Sequence, residues 1–159
     1  MIHKKRKKPL GGNVFFKIKL SCVYLIGLLI VILDQLSKSF IRLYQPNIEI
    51  STFFHIKYVT NTGAAFGILQ DMPYFLAFIS IIIIGVIIYY LPSIENRDLL
   101  PVSLILGGAV GNLIDRVLYG AVTDFIAIGW WPTFNIADSA LSIGVIWILI
   151  NIVLYDQKK

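Results

Sequence analysis

The stretch GGAVGNLIDRVLYGAVTDFIAIGWWPTFNIADSAL (residues 107–141) decides how the rest of this chain must be arranged. It places three aspartates, two asparagines and one arginine between two long apolar runs: Asn112, Asp115, Arg116, Asp124, Asn135 and Asp138. Ionisable groups are costly at or near hydrocarbon, so in a membrane protein they usually mark a functional site. We therefore expect the other segments to hold this polar cluster at one depth.

The composition of the chain indicates a membrane protein. Of its 159 residues, 57% are hydrophobic and 14% are charged, and the mean hydropathy is +0.79. A soluble domain carries about a quarter charged residues, so that class is excluded. Cys22 is the only cysteine, which excludes an intramolecular disulfide and a thiolate metal cluster.

Four apolar segments are long enough to cross about 30 Å of hydrocarbon as helices. They are residues 20–43, 74–91, 99–118 and 138–155. They predict an all-α membrane domain over residues 20–159, a bundle of four transmembrane helices. Residues 1–19 form a basic N-terminal extension, interpreted as a disordered topology anchor.

The distribution of Lys and Arg residues sets the orientation of the bundle. With the N-terminus inside, ten of the fourteen basic residues lie on the inner side and four on the outer side. Both termini are therefore expected to be cytoplasmic. The basic N-terminal run could instead bind nucleic acid, but its place before an apolar segment favours the topological role.

In this orientation the polar groups of separate segments reach the same depth. At about 1.5 Å of rise per residue, they all fall in the outer leaflet or at its surface. The polar residues lie in the last third of the first helix, in the last two turns of the third helix and at the start of the fourth helix. The residues are Asp34, Gln35, Lys38, Asn112, Asp115, Arg116, Asp124 and Asp138.

The two outer connections have different compositions. Residues 48–59 are rich in β-branched and aromatic side chains and predict one or two strands on the membrane surface. Residues 121–131 mix apolar side chains with Asp124 and end in a Trp pair. Because Trp favours the membrane interface, this segment is predicted to lie flat over the site as a short amphipathic helix.

Several polar residues also have purely structural interpretations. Asp34 and Lys38, four residues apart on one helical face, can form a pair that ties two helices together. Arg116 can pair with an acid, and Asp115 can either pair with it or brace the site. Asp138 can be a helix N-cap with no further role. The GxxxG step formed by Gly107 and Gly111 predicts close helix packing.

The chemistry that remains is that of carboxylates. Neither His3 nor His55 has a companion that would suggest zinc, and zincin, P-loop, dinucleotide and GxSxG patterns are absent. Two carboxylates held close share a proton, so one can activate water while the other protonates a leaving group. The cluster therefore predicts amide hydrolysis at a membrane face.

Two other functions remain open at this point. A proton-coupled small membrane transporter can use the same carboxylates, although its ionisable groups should lie at several depths along a path. A membrane assembly factor can use the polar cluster for helix docking alone.

Five blocks of the sequence follow one another in a distinctive order. They are DQLSK (residues 34–38), NTGAAFG (61–67), GGAVGNLIDR (107–116), VTDF (122–125) and FNIADSAL (134–141). In this order they resemble the signature blocks of bacterial lipoprotein signal peptidase, signal peptidase II. With the four apolar runs, the resemblance covers nearly the whole chain after residue 20.

The resemblance implies an aspartyl endopeptidase of the bacterial cytoplasmic membrane. Members of that family cut prolipoproteins just before a diacylglyceryl-modified cysteine, without metal or organic cofactor. The implied active site faces the extracytoplasmic side, beneath a small β-cradle and a surface helix that correspond to residues 48–59 and 121–131. The expected partners are the lipidated substrates, membrane lipid and an inhibitory cyclic peptide antibiotic of the globomycin type. Nucleic acid is not expected to bind, and the protein is expected to be a monomer.

The resemblance also assigns roles to individual residues. Asp124 and Asp138 match the catalytic pair, and Asp115 is the rival for a catalytic role. The positions that match contacts to substrate or to the antibiotic are Asn61, Asn112, Arg116 and Asn135. The positions that match supporting residues are Asp34, Lys38, Asp115 and Gly63. The fourteen-residue spacing from Asp124 to Asp138 looks short for the family, which would trim the covering helix.

Overall fold

The computed structural model describes residues 11–64 and 68–156 as four long helices and one small sheet. The helices are α1 (Gly11–Tyr44), α2 (Pro73–Tyr90), α3 (Leu99–Tyr119) and α4 (Ile136–Asp156). Each contains a stretch that is long and apolar enough to cross a membrane. The four predicted spans are therefore confirmed.

Helix α1 begins earlier than the sequence analysis expected. Its backbone is helical from Gly11, so the expectation of a disordered extension is wrong for residues 11–19. The chain has no proline between Pro9 and Pro46, and nothing therefore interrupts the helical hydrogen bonds over this stretch. Residues 1–10, which carry the basic run, lie outside the described residues.

Helix α3 is the central helix of the bundle, and its glycines allow this. A Cβ atom on Gly107 would lie 2.7 Å from the carbonyl oxygen of Gly27 on α1. A Cβ atom on Gly108 would meet the backbone of Ala137 on α4, and one on Gly111 would lie 2.7 Å from a carboxylate oxygen of Asp34. The prediction of close packing at the GxxxG step is confirmed.

Helix α2 has the opposite character. Ala77 is its only buried residue, and it begins with Pro73 at the first turn, where a missing backbone N–H costs nothing. A short irregular connection with two single 3₁₀ turns, Leu91–Ser93 and Asn96–Asp98, leads from α2 into α3. Helix α2 therefore supports α3 with one face and leaves the rest of its apolar surface for lipid.

The sheet lies at the end of the bundle where α1 and α3 finish. Its strands β1 (Asn47–Ser51), β2 (Phe54–Asn61) and β3 (Val122–Ile128) are antiparallel and lie in the order β1-β2-β3. The prediction of one or two strands in the first outer connection is confirmed, and two are present. A register shift interrupts the pairing of β2 with β3 between Ile56 and Val59, after which Val59 lies opposite Asp124.

The predicted surface helix over residues 121–131 is wrong, because this segment forms β3. Gly120 (φ 67°) and Gly129 (φ 50°) bracket the strand in left-handed conformations that end it on both sides. Its first four residues, 122–125, are all buried, because the strand runs between β2 and the bundle. A free strand edge on β2 and β-branched residues in β3 outweigh the local preference for an amphipathic helix.

Candidate active site

The two candidate catalytic acids reach one cavity from different elements. Asp124 lies in β3 and is 1% exposed, and Asp138 lies in the first turn of α4. Both line a cavity of about 780 Å³ between the sheet and the bundle, together with Asn61, Gly63 and Arg116. The predicted convergence of acids distant in sequence is thus present in the structure.

Asn135 connects the two acids. Its side-chain Nδ2 donates to Asp124 Oδ1 at 2.7 Å, and its backbone N–H donates to Asp138 Oδ2 at 3.2 Å. In return, the backbone N–H of Asp138 donates to Asn135 Oδ1 at 2.8 Å. This reciprocal pair is a capping box, in which Asn135 is the N-cap of α4 and Asp138 is the third helical residue. The interpretation of Asp138 as the N-cap itself is therefore wrong.

Two further asparagines complete the hydrogen bonding of the acids. Asn61 Nδ2 donates to Asp124 Oδ2 at 3.0 Å, and Asn112 Nδ2 donates to Asp138 Oδ1 at 2.7 Å. The Asn61 amide cannot rotate freely, because its Oδ1 accepts the backbone N–H of Gly63 at 3.0 Å. Every carboxylate oxygen of the pair consequently accepts one N–H donor, which fixes the directions of the remaining lone pairs.

The environment of Asp124 is suited to proton sharing. Burial raises the pKa of Asp124 to about 7, and the negative charge of Asp138 acts in the same direction. Hydrogen bonds from Asn61 and Asn135 and the positive charge of Lys38 oppose this rise in pKa. Because a carboxyl group with such a pKa is partly protonated near neutral pH, Asp124 can both give and take a proton there.

A buried ion-pair cluster lies directly behind the acids. Lys38 Nζ lies 2.8 Å from Asp34 Oδ2 and 3.6 Å from Asp115 Oδ2, and all three side chains are fully buried. The predicted pairing of Asp34 with Lys38 is confirmed. Asp34 Oδ1 also accepts the backbone N–H of Ala137 at 2.9 Å, so this cluster positions the start of α4.

Asp115 braces β3 and does not pair with Arg116. Its Oδ2 accepts the backbone N–H of Thr123 at 2.9 Å, and its Oδ1 lies 3.2 Å from Arg42 Nη1. The alternative in which Asp115 pairs with Arg116 is wrong, because consecutive helical residues point in different directions. The structure instead supports the bracing role.

Arg116 faces the cavity. Its Nη2 donates to the carbonyl oxygen of Gly63 at 3.3 Å, while its buried Nε has no hydrogen-bond partner. Among the described acids, none lies within ion-pair distance of this guanidinium, so the predicted Arg–acid pair is absent there. Arg116 therefore lies in the cavity wall with part of its hydrogen-bonding capacity unused.

The predicted substrate-contacting residues divide into two groups. Asn61 and Arg116 line the cavity, whereas Asn112 and Asn135 lie behind it, almost fully buried, with their amides bonded to the acids. Gly63 also lines the cavity, and a Cβ atom there would lie 2.8 Å from the carbonyl oxygen of Ile68. The end of the NTGAAFG block, residues 65–67, lies outside the described residues.

Sequence reasoning assigned no contact to three members of this network. Gln35 Nε2 donates to Asp115 Oδ1 at 3.1 Å, and Arg42 Nη1 donates to Thr123 Oγ1 at 3.1 Å. Gln35 enters the sequence analysis only through its depth in the membrane, and Arg42 only through the count of basic residues. A usable signal existed for Arg42, which follows Lys38 by four residues and so lies on the same face of α1. Thr123 had no such signal, because its contact depends on how β3 is placed.

The arrangement suits acid–base chemistry on a neutral substrate. Two carboxyl groups of different environment face one cavity, and a cation beside them can bind a polarised carbonyl group. In the part of the chain that the structure describes, no three His, Cys, Asp or Glu side chains are grouped to hold a metal ion.

Comparisons with known proteins identify the family of this chain. The family model described as "Signal peptidase (SPase) II" matches residues 26–154. The chain is 43% identical over 129 residues to the lipoprotein signal peptidase of Moorella thermoacetica, covering 77% of this chain and 86% of the relative. It is 44% identical over 139 residues to that of Syntrophomonas wolfei, covering 83% and 92%.

Solved structures give the same result for the fold. Two structures, each described as a bacterial membrane enzyme, match with TM-scores of 0.82 and 0.75 at 37% and 38% sequence identity. The matches cover 87% and 83% of this chain, and 92% of each of those chains. Sequence and fold agree, and this chain belongs to the signal peptidase II family.

Proposed function

We propose that this protein is an aspartyl endopeptidase that removes the signal peptide from prolipoproteins by cleaving before a diacylglyceryl-modified cysteine. The observation that carries the proposal is the convergence of Asp124 and Asp138 on one cavity, bridged by Asn135. Family membership supports the peptidase activity. The names of its relatives, lipoprotein signal peptidases, support the choice of substrate.

The proposed reaction begins with one proton on the pair, carried by Asp124. The Asp138 carboxylate takes a proton from water while the water oxygen bonds to the scissile carbonyl carbon, and Asp124 gives its proton to the carbonyl oxygen. In the resulting diol, Asp138 returns its proton to the leaving nitrogen as the C–N bond breaks. Asp124 recovers a proton from a diol hydroxyl, which leaves a new carboxyl end on the signal peptide and a free amine on the lipidated cysteine.

The cavity offers a place for both parts of such a substrate. Arg116 and Asn61 are available near the acids to orient the peptide carbonyls. The rest of the lining is mostly apolar, and a second, shallower groove continues from Leu141 and Ser142 along α4 to Ile146. Apolar lining beside a membrane-spanning helix is suited to an acyl chain or to the apolar signal helix. We propose that the acyl chains and the signal helix bind along this apolar lining.

The proposed location is the bacterial cytoplasmic membrane, with both termini in the cytoplasm and the cavity on the extracytoplasmic side. The excess of basic residues near the N-terminus supports this orientation. The lipidated cysteine of a prolipoprotein would then reach the acids from the outer leaflet. The proposed active form is a monomer, because α1, α3, α4 and the sheet of one chain supply every group named above.

A proton-coupled transporter is less well supported. Within the described spans the buried ionisable side chains, Asp34, Lys38 and Asp115, lie together with the partly buried Asp138 at the end that carries the sheet. A proton path across the membrane requires groups at several depths. The gathering of these charges at one level instead supports chemistry at the membrane face.

The decisive test is cleavage of a synthetic precursor by the purified protein in detergent. The substrate is a peptide with a signal sequence and a diacylglyceryl-modified cysteine, and the control substrate carries an unmodified cysteine. We expect release of the signal peptide from the lipidated substrate only, and inhibition by a globomycin-type cyclic peptide. Failure of the folded protein to cut the lipidated precursor, or equal cleavage of both substrates, would contradict the proposal.

A further inference from the structure

The ammonium group of Lys38 contacts an amide as well as two acids. It is fully buried and lies within 4 Å of three acceptors: Asp34 Oδ2 at 2.8 Å, Asn112 Oδ1 at 2.9 Å and Asp115 Oδ2 at 3.6 Å. An ammonium group has three donors, and each can be directed at one of these oxygens. The contact with Asn112 is the one that leads towards the candidate catalytic acids.

The Asn112 side chain has two nearly identical orientations that differ in which end carries the oxygen. Lys38 can only donate, so it can face only the oxygen end of this amide. Asn135 Nδ2 donates to the same oxygen at 3.2 Å. The NH₂ end of Asn112 is therefore directed at Asp138 Oδ1, which it meets at 2.7 Å. The reversed amide would place its oxygen against a carboxylate and its NH₂ against an ammonium.

We propose that Lys38 is a positioning residue that acts on Asp138 through Asn112. Its buried charge fixes the direction of the Asn112 amide and so keeps an N–H donor on Asp138 Oδ1. With the Asn135 backbone N–H on Oδ2, Asp138 is held as the hydrogen-bond acceptor of the pair. The proposal rests on the proposed peptidase function and specifies how the water-activating acid is kept ready.

A purely structural role for Lys38 makes a different prediction. If the ammonium only offsets the charges of Asp34 and Asp115, any cation of the same cluster should matter in the same way. Arg42 is the matched control, because it contacts Asp115 at 3.2 Å and Thr123 but has no hydrogen bond to Asn112. The two cations therefore separate bracing of the fold from control of the amide.

The kinetic test compares Lys38→Met, Asn112→Ala and the double variant on the lipidated precursor in detergent. Misplacing a reacting group by about 1 Å costs roughly 100-fold, so we expect kcat to fall about 100-fold in each single variant with little change in KM. The double variant should be no slower than Asn112→Ala beyond about 2-fold, the usual scatter of additivity. Multiplicative losses, or a loss confined to KM, would overturn the proposal.

Three further variants separate a loss of folding from a loss of positioning. Lys38→Met combined with Asp34→Asn removes one buried negative charge with the lysine, and thermal unfolding in detergent reports whether the fold survives. Lys38→Arg, which keeps a donor-only cation, should recover part of the kcat lost in Lys38→Met. Arg42→Met should lower the melting temperature while changing kcat by no more than about 3-fold, since it leaves the amide in place. A kcat loss in Arg42→Met equal to that in Lys38→Met would count against the proposal.

A spectroscopic measurement separates this inference from the proposed function. In ¹⁵N-labelled protein, the side-chain NH₂ signals of Asn112 can be assigned by their absence in Asn112→Ala. They should move in Lys38→Met and stay in place in Arg42→Met, whether or not the wild type cuts the precursor. An unmoved Asn112 signal in folded Lys38→Met would overturn the inference alone, whereas an inactive wild type would overturn the peptidase proposal.

Discussion

The bundle has a polar cluster at each end, and the two differ in how they treat charge. At the sheet end, Asp34, Lys38 and Asp115 are all 0% exposed. At the other end, Arg97 pairs with Glu95 at 3.2 Å, with side-chain exposures of 35% and 67%. Ion pairs near water contribute little, whereas charges removed from water are costly unless fully paired. Burial of the cluster at the sheet end therefore costs free energy that its ion pairs must offset, and in that position the cluster holds the candidate site in place.

The exposed cluster has a purely local function. Asn151 on α4 donates to Asp98 Oδ1 at 2.7 Å, and the Arg97 guanidinium lies 4.1 Å from the ring centre of Tyr155. These contacts fasten the end of α4 to the turn before α3. They reach no cavity described above, which makes this end a natural control for the sheet end.

The largest expected difference between the ends concerns activity. Asp124→Asn and Asp138→Asn should each lower cleavage of the lipidated precursor by about 10⁴-fold, because each removes one proton-transfer group. Asp98→Asn at the opposite end should leave the rate within about 2-fold. The measurement is the initial rate of signal-peptide release, with melting temperatures to show that all three variants fold. Full activity of Asp124→Asn or of Asp138→Asn would contradict a catalytic role for the residue replaced.

The next difference concerns stability. Asp34→Ala leaves Lys38 with one carboxylate fewer and removes the acceptor of the Ala137 N–H, so it should cost about 3–5 kcal/mol. Glu95→Ala breaks an exposed pair and should cost at most about 1 kcal/mol. Reversible unfolding in mixed micelles can compare the two variants. Equal costs would mean that burial of the cluster does not set its energetic importance.

A smaller effect is expected from packing around the buried cluster. A Cβ atom on Gly111 would lie 2.7 Å from Asp34 Oδ2 and 3.2 Å from the Ala137 side chain, so Gly111→Ala should cost about 1–3 kcal/mol. Gly85 on α2 is the matched control, since an added Cβ atom meets nothing within 4 Å there. Gly85→Ala should keep or raise the melting temperature, because alanine favours helix. A neutral Gly111→Ala would show that α1 can move away without loss.

The smallest expected effect is a change in pH dependence at the site. The proposed mechanism requires protonated Asp124, whose pKa is raised to about 7 by burial and by Asp138, so the rate should fall as pH rises through that range. Asn61 donates to Asp124 and opposes the rise in pKa. Asn61→Ala should therefore move the alkaline limb of the kcat profile to higher pH. A limb that moves to lower pH would contradict the assignment of Asp124 as the acid.

Much of this architecture follows from residues close together in sequence. Apolar length predicts the four spans, a spacing of four predicts the Asp34–Lys38 pair, and two small residues predict the close approach of α3 to α1. These features depend on the geometry of a single helix or on one helix contact. They need no knowledge of the complete fold.

The errors concern contacts between distant segments. Residues 121–131 have an acceptable helical pattern, but residues 122–128 form β3 because they pair with the free edge of β2 and include β-branched side chains. Asp115 and Arg116 are neighbours in sequence, yet one faces α1 and the other faces the cavity. Asn112 and Asn135 bond to the two acids through their amides, a role that the sequence pattern alone does not predict. Such competition among partners is decided by the assembled fold.

The capping role of Asn135 links maturation of the protein to its chemistry. One side chain both begins α4 and holds Asp124, so the pair of acids cannot be assembled while the first turn of α4 is unformed. A newly made chain whose last span has not yet entered the bilayer therefore lacks the assembled pair of acids. In the proposed function, formation of the first turn of α4 and assembly of the catalytic pair are therefore one event.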